Sequence, residues 1–392
     1  MINRRNLMGV GAAVASSLSS LMASKAEAKS YDVPEALMPR GRVGRLVRLP
    51  KTDLESRQDF LKSFRTWANT DLSKAAAQRA DAILAAKGIA KDAEVPRAQA
   101  VAMLQNDPLI ATSTRAWLST QTLSWDGLKE EFEGNADVYL SEMEKVDKIG
   151  GKLELNPDMK LPDYTRHEIH IQPGGYVGNA FAGHMYQYGT NGFYMGRNDQ
   201  DEMHRGVASK MPVPADGKVL RILDVGTGIG QLAMALKERF PNAEVWGIDA
   251  GGPMVRYGHM RSVELGLDVN FAQRLGEDTK FPDNYFDIVT SYIMFHEVSP
   301  EGAAAQVKEA YRITRPGGIY YPLDFKLTGA AKRTAYGMYR GWWDHRWNNE
   351  VWSFKFREEG LPDMIRKVGF ALNEQAPELL RGFGVLNATK TA

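Results

Sequence analysis

Along the chain the spacing of hydrophobic positions changes twice, and each change marks a different kind of element. Between residues 53 and 149 apolar residues recur at helical spacing. Phe60, Phe64 and Trp67 fall at i, i+4 and i+7 and predict a buried helical stripe. A second helix runs from Leu72-Ser73-Lys74 to Ala86, where Gly88 ends it. Asn106-Asp107-Pro108 punctuates the next, and a further helix over about 124–148 stops at Gly150-Gly151. The stretch 53–150 therefore reads as a small all-α domain of about four helices, with no chemical motif of its own.

Residues 151–210 lose that period. The run HEIHIQPGGYVGNAFAGHMYQYGTNGFYMGRND is rich in Gly and carries Tyr176, Tyr186, Tyr188 and Tyr194. His167 and His170 alternate with Ile169 and Ile171, which is strand-like spacing. Metal binding by His167, His170 and His184 is conceivable, but no ligand spacing with a further His or Cys supports it, so no metal site is assigned. The segment reads as a loop-rich lid. Ahead of the helical stretch, Pro34, Pro39, Gly41, Gly44 and Pro50 make 29–52 a linker.

From about residue 218 the pattern becomes β-α-β-α. Apolar strands are predicted at Val219–Val225, Ala243–Ile248, Val269–Ala272, Phe286–Ser291 and Gly318–Phe325. Helices are predicted at Gly230–Phe240, Met254–Leu265 and Gly302–Ile313. Such alternation predicts an α/β fold, a parallel sheet with helices on both faces, over 211–392. Two last strands, about 370–376 and 381–389, complete it as an antiparallel hairpin. The ligand site of such a sheet lies at the carboxyl ends of its strands.

Composition narrows the function classes. With 392 residues the chain has room for two to three domains of ~150 residues. Its 49 basic and 48 acidic side chains give a net charge of +1, which leaves no electrostatic footprint for nucleic acid or an acidic membrane surface. Cysteine is absent, which excludes disulfides, thiolate metal sites and a cysteine nucleophile. No uninterrupted apolar run of ~20 residues is present, so no stable membrane span is expected. Residues 1–28 read as a processing segment: Arg4-Arg5, a weakly apolar stretch from Leu7 to Ala23, then Ala26-Glu27-Ala28 before Lys29. This resembles a bacterial twin-arginine signal peptide and implies export to the periplasm, or a cytoplasmic protein if the signal is not used.

The first strand of the α/β part runs into Asp224-Val225-Gly226-Thr227-Gly228-Ile229-Gly230. Its glycines permit a tight strand-to-helix turn and close approach of backbone to a ligand. The next strand ends at Asp249, where a carboxylate can accept both hydroxyls of a ribose. Together these features specify a nucleoside-containing ligand. Gly228, Gly230 and Ala233 also satisfy the dinucleotide frame G-x-G-x-x-A, but D-x-G-x-G-x-G fits the strand end better.

At these residues the sequence resembles class I S-adenosylmethionine (SAM)-dependent methyltransferases, in the branch with the ubiquinone/menaquinone C-methyltransferases. ILDVGTGIGQLAMAL with VWGID resembles their first two motifs, LGEDTKFPDNYFDIVTSYIMFHEV the next segment, and EAYRITRPGGIYYPLDF the helix and fifth strand. The resemblance covers about 218–326. It implies a Rossmann-like methyltransferase sheet with SAM as cofactor. Asp224 and the turn Gly226, Gly228 and Gly230 would hold the methionine part of SAM, Asp249 the ribose, and the loop Gly276, Glu277 and Asp278 the adenine. Aligned back from Phe281, the adenine triplet becomes Arg274-Leu275-Gly276 instead.

Methyl transfer needs alignment more than acid–base help, and a base only where the nucleophile carries a proton. His296, in the segment after the fourth strand, and Asp324, near the end of the fifth, are the candidate catalytic residues. The insert YGMYRGWWDHRWNNEVWSFKF (336–356) holds four of the eight Trp. It would build an apolar acceptor pocket, or pack under the helical domain, or form a homodimer contact. The expected function is methyl transfer to a small aromatic or lipophilic acceptor. The alternatives are a SAM-binding accessory or sensor protein without transferase activity, and a nicotinamide-dependent oxidoreductase.

Overall fold

The computed structural model describes residues 41–325, 334–373 and 383–391. The signal-like segment, the first half of the linker (29–40) and the middle of the C-terminal hairpin lie outside the described residues. Arg42–Ala392 form one compact unit. After a short hairpin of β1 (Arg42–Val43) and β2 (Leu46–Val47), a helical layer begins. It comprises α1 (Thr52–Trp67), a π-helical link (Ala68–Leu72), α2 (Ser73–Ala86), α3 (Arg97–Leu104), α4 (Pro108–Gly134) and α5 (Ala136–Glu144). Asp107 caps α4 by accepting from the Leu109 and Ile110 amides, with Pro108 in the first turn, as the sequence predicts. The single helix expected over 124–148 is instead the end of α4 and then α5, broken at Asn135.

The Phe60, Phe64, Trp67 stripe is not core. Phe60 is 66% exposed and Trp67 44%, and the three rings stack on one another on the outer face. The inner face belongs to Leu54, Leu61, Arg65 and Ala68, which fall at the same helical period. Two overlapping stripes were readable in α1, and ring size favoured the wrong one.

The 151–210 segment is more ordered than a lid of loops. It adds a two-residue strand β3 (Leu153–Glu154) and two helices, α6 (Ala182–Phe193) and α7 (Glu202–Lys210). His184, on α6, is buried against Phe132, Phe181 and Tyr257. The strand read at His167–Ile171 is absent; Ile169–Ile171 form a 3₁₀ turn in which His170 and Ile171 both take φ of 52°.

The α/β part matches its predicted alternation within a few residues. Its strands are β4 (Arg221–Val225), β5 (Glu244–Asp249), β6 (Asn270–Gln273), β7 (Phe286–Tyr292) and β8 (Thr314–Phe325). Between them run α8 (Gln231–Arg239), α9 (Gly252–Glu264) and α10 (Pro300–Ile313). After β8 come α11 (Ala335–Trp347), α12 (Ser353–Glu359) and α13 (Leu361–Lys367), then β9 (Phe370–Asn373), β10 (Phe383–Val385) and β11 (Asn387–Lys390). The sheet order is β3-β6-β5-β4-β7-β8-β11-β9, with β10 also on β8. The strands from β3 to β8 pair in parallel, and β9, β10 and β11 are antiparallel. This is the Rossmann-like α/β sheet with helices on both faces. Alternate residues feed alternate cores: Ile222, Val245 and Ile288 pack with Leu232 and Leu236 of α8, whereas Leu223, Trp246 and Val289 pack with Val307 and Ala310 of α10.

The strand order reverses at β4, between β5 and β7, and opens a crevice at their carboxyl ends. The helical layer closes over it. Met143 of α5 and Ala182 of α6 share a core with Ile229, Met254 and Tyr257 of the sheet layer. Ala335, Tyr339 and Trp343 of α11 pack with Leu84, Leu104 and Leu118 of the helical layer. No helix among the described residues is long and apolar enough to cross a membrane.

Candidate functional site

The crevice is a cavity of about 860 Å³ with two chemically distinct ends. At the first end, β4 delivers Asp224 and then turns through Gly226, Thr227 and Gly228. Gly226 has φ of +65°, and a Cβ there would lie 2.4 Å from Met294. Gly230, at φ of +79°, starts α8, and a Cβ there would strike Phe271 at 2.4 Å. Gly226 and Gly228 therefore face the cavity, while Gly230 serves helix–sheet packing behind it.

Asp224 is 1% exposed, and the Thr227 hydroxyl donates to its Oδ2 at 2.6 Å. Its Oδ1 is buried with no hydrogen bond. Burial, with a smaller push from the Asp249 carboxylate, raises its pKa to about 7, against the Thr227 hydroxyl and the Ala233 amide, which lower it. Asp249, at the end of β5, accepts from the Gly228 amide at 2.9 Å and the Gly251 amide at 2.8 Å. Burial raises its pKa, partly offset by those amides. Both aspartates line one wall.

The adenine candidates separate. Gly276 lines the cavity beside Arg274. Glu277 sits just behind, accepting from the Tyr164 hydroxyl at 2.5 Å. Asp278 is exposed, paired with Lys280, and does not line the cavity.

At the second end, the 3₁₀ turn Phe295–Glu297 after β7 places His296 and Glu297 on the wall. His296 Nδ1 lies 2.8 Å from Asp324 Oδ1, and the two residues are 2% and 0% exposed. Asp324 is joined to His296, a contact that the separate motifs do not predict, and it acts from behind, without itself lining the cavity. Burial alone would lower the His296 pKa; the carboxylates of Asp324 and Glu297 outweigh it and push it well up.

Sequence reasoning missed several residues here. His170 Nε2 lies 2.7 Å from Glu350 Oε1 and 3.3 Å from Glu297 Oε1. The sequence groups His170 with His167 and His184, neither of which lines the cavity. Arg65 is buried with its guanidinium between Trp117 and Phe193, 4.1 and 4.4 Å from the ring centroids. Burial pulls its pKa down to about 9. The aromatic insert divides its work: Tyr339 and Trp343 pack into the helical layer, while Arg340, Asp344 and Asn348 of the same stretch reach the cavity. A period analysis of 336–356 would have separated those faces.

Residues 222–318 match the family described as a methyltransferase domain. The chain is 40% identical over 105 residues to a demethylmenaquinone methyltransferase of Thermus thermophilus, covering 27% of this chain and 47% of that protein. It is 30% identical over 156 residues to a ubiquinone/menaquinone biosynthesis C-methyltransferase of Cupriavidus taiwanensis, covering 38% of this chain and 63% of that one. The chain thus spans less than two thirds of the length of these curated relatives. Among solved structures, a SAM-dependent methyltransferase from Aquifex aeolicus superposes with a TM-score of 0.33 at 23% identity, over 43% of this chain and 81% of that one.

Proposed function

We propose that the protein is a SAM-dependent methyltransferase acting on a small aromatic or lipophilic acceptor. The observation that carries this reading is the continuity of one cavity from the Asp224–Asp249 wall to the aromatic and histidine wall. At about 860 Å³ it is near the top of the ~300–1,000 Å³ range of ligand sites, which suits a donor and an acceptor side by side.

The residues fit SAM better than a dinucleotide. The buried, unpartnered Oδ1 of Asp224 asks for a cationic or N–H group. An ammonium satisfies it, whereas a pyrophosphate would face a carboxylate. SAM, when bound, supplies a methyl group on a cationic sulfur whose departure leaves a neutral thioether. The chain's own task is alignment. Asp224 and the Gly226–Gly228 turn hold the amino-acid end, and Asp249 holds the ribose. Tyr176, Tyr186 and Tyr194 flank the remaining space, and Asp324 fixes the His296 ring toward the acceptor. The quinone-related names of the relatives add weight to an acceptor with a phenol- or quinol-like ring.

Calorimetry tests the donor site. SAM and its demethylated product should bind in the low-micromolar range or tighter, about 8 kcal/mol. Asp249→Ala should weaken binding roughly ten- to a hundredfold through lost charge-assisted hydrogen bonds. NADH binding in place of SAM would sink the reading. Tight SAM binding with no transfer of labelled methyl to any phenolic acceptor would make this an accessory protein.

The reading extends to location: the Arg4-Arg5 segment directs export of the folded protein, and supports it by its weak apolar run and A-x-A site. Arg4→Lys/Arg5→Lys should retain the protein in the cytoplasm. Finding wild type there only, at full length, overturns it.

A further inference from the structure

Four side chains from three distant stretches of chain meet at the acceptor end of the cavity: His170, His296, Glu297 and Glu350. Each offers a donor atom, and those atoms all lie within 4.8 Å of one another. We propose that they bind one divalent first-row transition cation, through Nε2 of each imidazole and one carboxylate oxygen of each glutamate.

The unsatisfied atoms point there first. Glu297 is 9% exposed and Glu350 7%. Both oxygens of Glu297 and the Oε2 of Glu350 are buried with no hydrogen bond. Both imidazoles approach Glu297 Oε1 at 3.3 Å and, when protonated, offset its charge, but the approaches lack hydrogen-bond geometry and leave its buried oxygens without a donor, which is costly. A dication between the four groups supplies ligation to both carboxylates and balances their charge.

The imidazoles are oriented for ligation from behind. Asp324 accepts at His296 Nδ1, 2.8 Å away, which leaves Nε2 directed at the cluster. The Tyr176 hydroxyl stands 3.3 Å from His170 Nδ1 and does the same for the second ring. A carboxylate or hydroxyl behind each imidazole is the usual support of a metal-bound histidine.

The backbone is strained to deliver one of these rings. His170 and Ile171 both hold φ of 52°, a region that a β-branched residue seldom enters. The strain persists because α4 grips the His170 carbonyl with Gln121 Nε2 at 2.6 Å and Trp125 Nε1 at 2.9 Å. Strain of this kind, held from outside, belongs to functional positions.

Distance and donor type choose the ion. Tetrahedral ligands ~2.1 Å from a cation lie ~3.4 Å apart. Three separations here are 2.7, 3.3 and 3.3 Å, so small side-chain shifts complete the shell. Two imidazoles with two carboxylates suit Mn²⁺, Fe²⁺, Co²⁺ or Zn²⁺, whereas Mg²⁺ and Ca²⁺ prefer oxygen alone. The cluster lines the cavity, so the four-ligand shell has room to expand to a fifth ligand on the acceptor side. Its use there, polarising an acceptor hydroxyl, rests on the methyltransferase reading; the binding of the ion does not.

The test is metal binding by the chelator-stripped, full-length protein without SAM. Titration calorimetry should find one Mn²⁺ or Zn²⁺ per chain with Kd of ~10 μM or tighter, no comparable Mg²⁺ binding, and visible absorption from bound Co²⁺. The near-isosteric Glu297→Gln and Glu350→Gln preserve packing and should weaken Mn²⁺ at least tenfold. Asp324→Asn should cost roughly 10–100-fold by disturbing His296 alone. Absence of stoichiometric Mn²⁺, Co²⁺ and Zn²⁺ binding overturns the proposal, as does Glu297→Gln with wild-type affinity. SAM titrated into the stripped protein separates the two readings: binding of SAM without metal removes only this site, and binding of metal without SAM supports this site while removing the transferase.

Discussion

Asp224 is buried without charge compensation at Oδ1, and burial holds its carboxyl near pKa 7 rather than 3.8. A pKa raised on folding means the protonated form stabilises the fold, so this contribution is present at low pH and lost as pH rises through about 7. A cationic ligand prefers the ionised form. SAM affinity should therefore increase between pH 6 and 8, and binding near pH 6.5 should release a proton, measurable as a buffer-dependent enthalpy in calorimetry. Asp224→Asn should flatten both the affinity profile and this part of the stability profile; an unchanged pH dependence in that variant refutes the assignment. Asp224, Gly226 and Gly228 are legible in sequence because turn chemistry is local: they are neighbours along one strand-to-helix link, and Asp249 is legible because it ends the next strand, at the same edge of the sheet. Asp278 shows the limit of that logic, since one position along a loop separates a wall residue, Gly276, from the side chains behind and outside it. The sequence offers His170 only as a conceivable metal ligand beside His167 and His184, and offers no sign of Glu350. Their meeting with His296 depends on how three loops cross above the sheet, and no spacing within the chain encodes that.

Helix α4 links the helical layer to the site. Its Trp125 packs into the core beside Leu128 and Phe132, and the same indole holds the His170 carbonyl. Gly189 of α6 lets the two helices approach: a Cβ there would lie 1.9 Å from the Trp125 ring. Gly189→Ala should thus overpack the contact and destabilise the fold by ~1–3 kcal/mol. It should also move the anchor of His170, weakening whatever binds at the acceptor end more than SAM at the Asp224 end. Denaturation midpoints and separate titrations of the two ligands check this, and a stable variant with both affinities unaltered would contradict the role given to Trp125. At the start of α10, the Ser299 hydroxyl accepts from the Gly302 amide at 3.1 Å. Ser299→Ala should cost about 1 kcal/mol by urea denaturation, the usual value of an N-cap. Element types were legible where one period dominated, as in β4 through α10. The type failed where a third element supplied the strain energy, as in the turn at His170, and in α1, where two stripes share the helical period, the type held but the buried face did not.

At the scale of the whole chain, the helical layer and the sheet build one cavity between them, and neither closes it alone. Arg65 and Trp117 reach it from the helices, Asp224 and Asp249 from the strands, and Arg340 and Asp344 from α11. Their shared cores tie the parts further: Met143 with Met254, and Trp343 with Leu104. The sequence, by contrast, divides at 150 and 210, because composition changes there while tertiary packing runs across both points. Packing of this kind predicts cooperative unfolding. Heating should give a single transition seen alike by circular dichroism and by tryptophan fluorescence, which reports Trp117, Trp125 and Trp343 in the helical layer together with Trp246 in β5. SAM at a hundred times its Kd should add ~2.7 kcal/mol and shift both signals together. If the helical layer were an independent domain, calorimetry would resolve two transitions and SAM would move only the one that contains Asp224 and Asp249. Two transitions with a selective shift would reject the shared cavity as the unit of folding and leave the donor site to the sheet alone.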